Sequence, residues 1–163
     1  MTSDFFEILR RLSKAGVDFV IVGGFAGVVH GCSYVTQDID ICCDFSPENL
    51  LSLQKALGNV HPVQRMAPKR KKFEVNRENI KQLKNLYLDT DIGRLDCLGF
   101  IDGIGSFDDV KKSTVQIEVE GLKIYVLSMN ALIQAKKAMN RPRDKEAVRQ
   151  LEEIKKLKKK SKK

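Results

Sequence analysis

The sequence predicts an α/β (α+β) domain: a mixed β-sheet flanked by helices, closed by a C-terminal helix pair. Three observations carry this. An apolar, β-branched run at 17–22 ends at Gly23-Gly24, as a buried strand ends at a turn. In the run Thr36-Gln37-Asp38-Ile39-Asp40-Ile41, residues 38–41 alternate polar and apolar at the strand period of two. Two further alternating runs, 115–119 and 122–126, flank Glu120-Gly121, a hairpin signal that argues against an all-parallel sheet.

The elements follow in order. Phe5, Ile8, Leu9 and Leu12 fall at helical spacing, and Gly16 ends that helix. After the strand at 17–22, the small and apolar residues of 25–30 predict a short helix packed closely on the sheet. The second strand is expected over 35–43. Ser46 followed by Pro47-Glu48-Asn49 marks a helix start, Ser as cap and Pro at the first position, running to about residue 57. In the middle, 60–67 suggests a short strand and Lys69-Arg70-Lys71-Lys72 a turn or loop. The segment 73–83 reads equally as strand or helix, while 85–91 and 93–99 read as strands. Ser128 caps a helix through residue 138, and the last helix runs from about 143 into the lysine tail.

The bulk composition fits one soluble domain. The 163 residues are 42% hydrophobic and 31% charged, enough to bury a core without staples. Residues 1–150 are read as the domain and 151–163 as a basic helix end or tail. Cys32, Cys42, Cys43 and Cys97 show no Cys-x-x-Cys spacing, so buried, reduced thiols in a cytoplasmic protein are expected rather than a zinc site or disulfides. The N-terminus carries Asp4, Glu7, Arg10 and Arg11 where a signal peptide needs an apolar run. Residues 19–37 lack Asp, Glu, Lys and Arg, but four glycines and His30 break the stretch; no membrane span is expected. The net charge is +8, with cations gathered at 69–72 and 155–163, which favours a polyanionic partner. A solvated lysine-rich helix end explains the tail equally well. With no Trp and three Tyr, a base-stacking surface is not indicated.

The chemistry lies in the aspartates. In an extended strand Asp38 and Asp40 project together, while Ile39 and Ile41 enter the core. Paired carboxylates repel, and a hard divalent cation reconciles them. Gly23-Gly24 offers backbone N–H groups at a turn into a helix, which suits phosphate. Asp96, flanked by apolar residues in a predicted strand, needs a partner if buried. Should its strand lie beside that of Asp38 and Asp40, three carboxylates converge as two-metal phosphoryl chemistry requires. Plainer readings stand beside these: a polar strand face for Asp38 and Asp40, and a salt bridge from Asp96 to a basic side chain.

Val22-Gly23-Gly24, a short helix, Thr36-Gln37-Asp38-Ile39-Asp40-Ile41 and a later strand aspartate together resemble the DNA polymerase beta-like nucleotidyltransferase superfamily. With His30-Gly31, and with Leu132-Ile133-Gln134-Ala135-Lys136 followed by Arg141-Pro142-Arg143-Asp144, the chain looks like its minimal members, including the AbiEii-like toxins of abortive-infection systems. The resemblance covers roughly 15–45, 90–100 and 128–150. It implies a nucleotidyltransferase fold and transfer of an NMP from an NTP to a hydroxyl of RNA, tRNA, protein or a small molecule, with release of pyrophosphate. It further implies Mg2+, or Mn2+ in its place, held by Asp38, Asp40 and Asp96, with Asp96 taking the hydroxyl proton. Gly23, Gly24, Thr36, Lys136 and Arg141 would bind nucleotide, and Lys136 and Asp144 match positions implicated in catalysis. On the residues alone, Lys136 reads equally as a helix-surface lysine and Arg141 as a helix-end cap. Tyr34 departs from the arginine many relatives carry two residues before the threonine. That departure and the short chain motivate the rival reading, a non-catalytic nucleotide- or partner-binding module. A toxin–antitoxin pair with a regulating partner protein is a further implication of the resemblance.

Overall fold

A computed structural model describes residues 4–66 and 69–161. The elements in order are α1 (Phe5–Lys14), β1 (Phe19–Val22), α2 (Gly23–Val29), β2 (Asp38–Cys43), α3 (Pro47–Ala56), β3 (Val63–Gln64), β4 (Lys71–Lys72), β5 (Asn85–Thr90), β6 (Gly93–Leu98), β7 (Phe100–Ile101), β8 (Gly105–Ser106), α4 (Phe107–Lys111), β9 (Thr114–Val119), β10 (Leu122–Leu127), α5 (Met129–Met139) and α6 (Pro142–Ser161). Eight strands form one mixed sheet in the order β4-β3-β5-β6-β2-β1-β10-β9, and β7 pairs with β8 alone. Among the described residues only β1–β10 and β2–β6 run parallel. The expected β9–β10 hairpin pairs Leu122 with Val119 across Glu120-Gly121, both at positive φ.

Alternation decides the core. Ile39 and Ile41 of β2 are fully buried, as are Leu95 and Cys97 of β6 and Leu86 and Leu88 of β5. Ile8, Leu9 and Leu12 of α1 join the same core, and α1 packs on α3. On the other side of the chain's path, α2 packs on β1 and β2 and against α5, which pairs with α6. Asp4 caps α1 through Glu7 N–H, Ser46 caps α3 through Asn49 N–H with Pro47 at the first position, and Ser128 caps α5 through Ala131 N–H. All four cysteines are buried and unpaired, and among the described residues no helix is long and apolar enough to cross a membrane.

Several local expectations change. The helix expected at 25–30 begins earlier, at Gly23, because Val22 is extended and Gly23 turns the chain with φ +67°. The second strand starts at Asp38 rather than 35. Lys71–Lys72 form a two-residue edge strand on β3 rather than a loop, a pairing too short for periodicity to reveal. The ambiguous segment 73–83 is neither strand nor helix: Asn76 and Asn79 hold its turns through side-chain bonds to backbone N–H groups. The helix α4 is an addition to the expected elements, its capping box written as Ser106-Phe107-Asp108-Asp109.

Candidate active site

The parallel pairing of β2 with β6 sets Asp40 opposite Asp96 and Asp38 opposite Arg94. Directly paired residues share a sheet face, so three carboxylates stand on the face opposite Ile39 and Ile41. Asp40 is pushed up to about 7, first by burial and then by the charges of Asp96 and Asp38, with Lys136 opposing. Asp96 is raised by burial, against the downward pull of its bond from Arg65. The Asp38 Oδ1 atom is buried with no hydrogen-bond partner, a costly state for a carboxylate.

These are hard oxygen donors with an unmet need for positive charge, which suits Mg2+ or Mn2+. Among the described residues no three acidic, histidine or cysteine side chains are already gathered as a metal cage. Asp96 has a different partner: Arg65 Nη2 donates to its Oδ1 at 2.6 Å.

Gly23 underlies this cluster. A Cβ built on it would stand 2.2 Å from Asp40 Oδ2, and its φ of +67° is strained for any other residue. Gly23→Ala should therefore cost about 1–3 kcal/mol of stability, readable as a lower urea midpoint. A midpoint equal to wild type would show that Asp40 is not packed against the turn. Thr36 Oγ1 donates to the backbone oxygen of Asp38 at 3.0 Å and lies 3.3 Å from where a Gly24 Cβ would be, so it fixes the entry into β2 beside the glycine turn.

A second charged group approaches from the C-terminal helices. Asp144 is fully buried at the start of α6. Its carboxylate accepts from Arg141 Nε at 2.5 Å, Arg141 Nη2 at 3.2 Å and the Arg141 backbone N–H at 3.1 Å. Lys136 Nζ lies 3.5 Å from Asp144 Oδ1. Burial alone would raise the Asp144 pKa, but the bonds from Arg141 and the charge of Lys136 hold it below the usual carboxylate value. Lys136 is itself buried, and its charge is felt at Asp40. Asn140 allows the geometry by closing α5 in the left-handed region.

Solved structures share this arrangement of elements. A lincosamide adenylyltransferase, LnuA, bound to lincomycin superposes with TM-score 0.62 at 17% identity, over 94% of this chain and 99% of that one. A candidate nucleotidyltransferase of Thermotoga maritima gives 0.56 at 22% identity, over 90% and 88%. ANT(2'')-Ia in complex with adenylyl-2''-tobramycin gives 0.56 at 16%, over 94% and 91%. The fold is the nucleotidyltransferase fold. No family model matches the sequence, and no curated protein sequence does.

Two further side chains pack around these elements, Arg65 on Asp96 and Tyr34 on α2. Arg65 follows the two-residue β3; besides Asp96 it donates to the Leu88 backbone oxygen at 3.2 Å and lies 5.9 Å from the centre of the Tyr87 ring. Nothing in its own neighbourhood signals this, because the contact depends on the sheet order β3-β5-β6. In the sequence Tyr34 stands only as a departure from the relatives' arginine. Its ring lies along α2, and a Cβ at Gly27 would sit 1.9 Å from its hydroxyl. Gly24 and Gly27, three apart on one helix face, are thus the slot for Tyr34. The Tyr34 hydroxyl is buried without a partner, and burial first, then Cys32 and Asp144, push its pKa to about 12.

His30 is structural: its Nε2 meets the Leu127 backbone oxygen at 2.7 Å, tying α2 to the end of β10. A cleft of about 390 Å³ opens at the far end of β2, with Cys43, Phe45, Phe100 and Phe107 in its wall; none of the three aspartates lines it.

Proposed function

We propose that this chain is a nucleotidyltransferase that moves an NMP from an NTP to a hydroxyl acceptor and releases pyrophosphate. The observation that carries the reading is the register of β2 against β6. It brings Asp40 to Asp96 beside Asp38, whose buried Oδ1 has no partner. Asp38, Asp40 and Asp96 would hold Mg2+ or Mn2+, which would neutralise charge on the phosphate oxygens. The backbone N–H groups at Gly23 and Gly24 bind the triphosphate, with Thr36 holding the turn against β2. Lys136 and Arg141 add positive charge toward the phosphates, and Asp144 is the positioning residue that aims both. Asp96 accepts the proton of the attacking hydroxyl as its oxygen bonds to the α-phosphorus and the bond to the pyrophosphate oxygen breaks. Arg65 donates to Oδ1 of Asp96 and so orients its carboxylate.

The abortive-infection likeness rests on Lys136 and the Arg141-Pro142-Arg143-Asp144 run, and with it the idea of a regulating partner protein. The neighbours LnuA and ANT(2'')-Ia support a small-molecule acceptor as the alternative. Unpaired buried thiols fit a reducing compartment such as the cytoplasm. We assign 1–150 to the transferase body; α6 carries the chain on without a break to Ser161.

Calorimetry with ATP and with GTP tests the site. Binding should require Mg2+ or Mn2+ and fall at least tenfold in Asp38→Ala. Nucleotide binding indifferent to both metal and Asp38 would favour the rival, a non-catalytic binding module on this scaffold, which Tyr34 in place of the usual arginine motivates.

A further inference from the structure

The positive charge beside the aspartates is arranged along the sheet rather than scattered. Residues 63–94 contain nine Lys and Arg against four Asp and Glu, a net +5. Their register decides which of them face the site. Asp38 pairs with Arg94, Arg94 with Asp89, Asp89 with Val63 and Val63 with Lys72. Paired residues share a face, so Lys72 and Arg94 lie on the same face as Asp38, Asp40 and Asp96. Four strand spacings separate Asp38 from Lys72, about 19 Å at roughly 4.8 Å each. Between them Asp89 is approached by Arg70 at 2.8 Å, Arg94 at 3.3 Å and Arg65 at 3.8 Å. Arg65 is already paired with Asp96, which leaves Asp89 between two further guanidinium groups, Arg70 and Arg94, that its single charge cannot both neutralise. The side chains of Lys72, Arg70 and Arg94 are 76%, 61% and 51% exposed, so the excess charge faces solvent. Lys72 has one weak partner, Glu74 at 3.5 Å.

A track of cations leading to Asp96 repels a positively charged acceptor and attracts one carrying a chain of phosphates. We propose that this β3–β5 face docks a single-stranded nucleic acid by its phosphodiester backbone and brings the strand's terminal hydroxyl to Asp96. The assignment rests on the transferase reading above and names the acceptor class for the same site. It moves the docking surface away from the lysine tail. Because the contacts are to phosphate, affinity is largely independent of base sequence.

The test uses the full chain and a fluorescein-labelled 12-nucleotide RNA of mixed sequence, with anisotropy read from 50 to 300 mM KCl. Arg70→Ala/Lys72→Ala should weaken binding about tenfold at 50 mM KCl and flatten the log–log salt slope by roughly 1.4, two phosphate contacts at 0.7 each. Lys158→Gln/Lys159→Gln/Lys160→Gln should bind within twofold of wild type. MgATP binding, measured alongside, should be unchanged in both variants and reports that the fold is intact. Loss confined to the tail variant would overturn the proposal, as would wild-type protein that binds MgATP but no RNA. Failure to bind MgATP as well would instead remove the transferase reading on which it rests.

Discussion

Asp40→Asn should lower transfer by roughly a hundred- to a thousandfold while making the metal-free protein more stable above pH 7. The two effects share a cause. The Asp40 carboxyl is raised from 3.8 to about 7 by burial and by Asp96 and Asp38, so the fold prefers it protonated. A raised carboxylate contributes no penalty below the unfolded value near 3.8. The penalty grows as pH rises and levels off above about 7. The full shift would correspond to about 4 kcal/mol at 1.36 kcal/mol per unit. An amide still buried among carboxylates keeps part of that cost, so a gain of about 1–2 kcal/mol is expected. Urea unfolding in EDTA at pH 4, 5.5 and 8 would read it as a gap in favour of the variant that opens between pH 4 and 7. A variant less stable than wild type at every pH would contradict the assignment of Asp40 as a strained, charge-seeking residue.

The second large effect concerns Asp144. Its carboxylate is the common partner of Lys136 and Arg141, so Asp144→Ala leaves a buried ammonium without its counter-ion. Breaking such a pair costs about 3–5 kcal/mol. Transfer should fall too, because Lys136 and Arg141 lose the group that aims them. The pH dependence has the opposite sign to that of Asp40. Arg141 and Lys136 hold Asp144 low against the effect of burial, so its stabilisation is full above the unfolded value and is lost as pH falls through the lower folded one. The gap between wild type and variant should therefore be widest at neutral pH and close below pH 4. Lys136→Met/Asp144→Leu should recover much of the stability but none of the activity, separating packing from function. Equal thermal midpoints for wild type and Asp144→Ala at pH 7 would show that the triad is not an energetic unit.

Much of the candidate site's geometry was legible because it lies on strands. Period-two alternation put Asp38 and Asp40 on one face, and Asp96 stood out as a charge among apolar neighbours. Register could not be read: the parallel β2–β6 pairing joins segments more than fifty residues apart and depends on the whole sheet order. Arg65 was missed for the same reason. Lys136 could be read equally as a surface residue because helical spacing does not reveal that α6 covers it. The plain alternative for Asp96, a salt bridge to a basic side chain, describes its Arg65 partner correctly. Tyr34 looked like the loss of an arginine, whereas Gly24 and Gly27 had already made room for its ring. The shortest elements, β3, β4, β7 and β8, are fixed by their neighbours rather than by any local pattern.

The most direct measurement of the central claim is transfer itself. Each α-labelled NTP would be incubated with the protein, Mg2+ and either total RNA or lysate, with Asp38→Ala/Asp40→Ala run in parallel. The account predicts label on an acceptor with wild type only, and on RNA ahead of other acceptors. Label appearing equally with the double variant, or no label on any acceptor despite saturating magnesium-independent nucleotide binding, would contradict it.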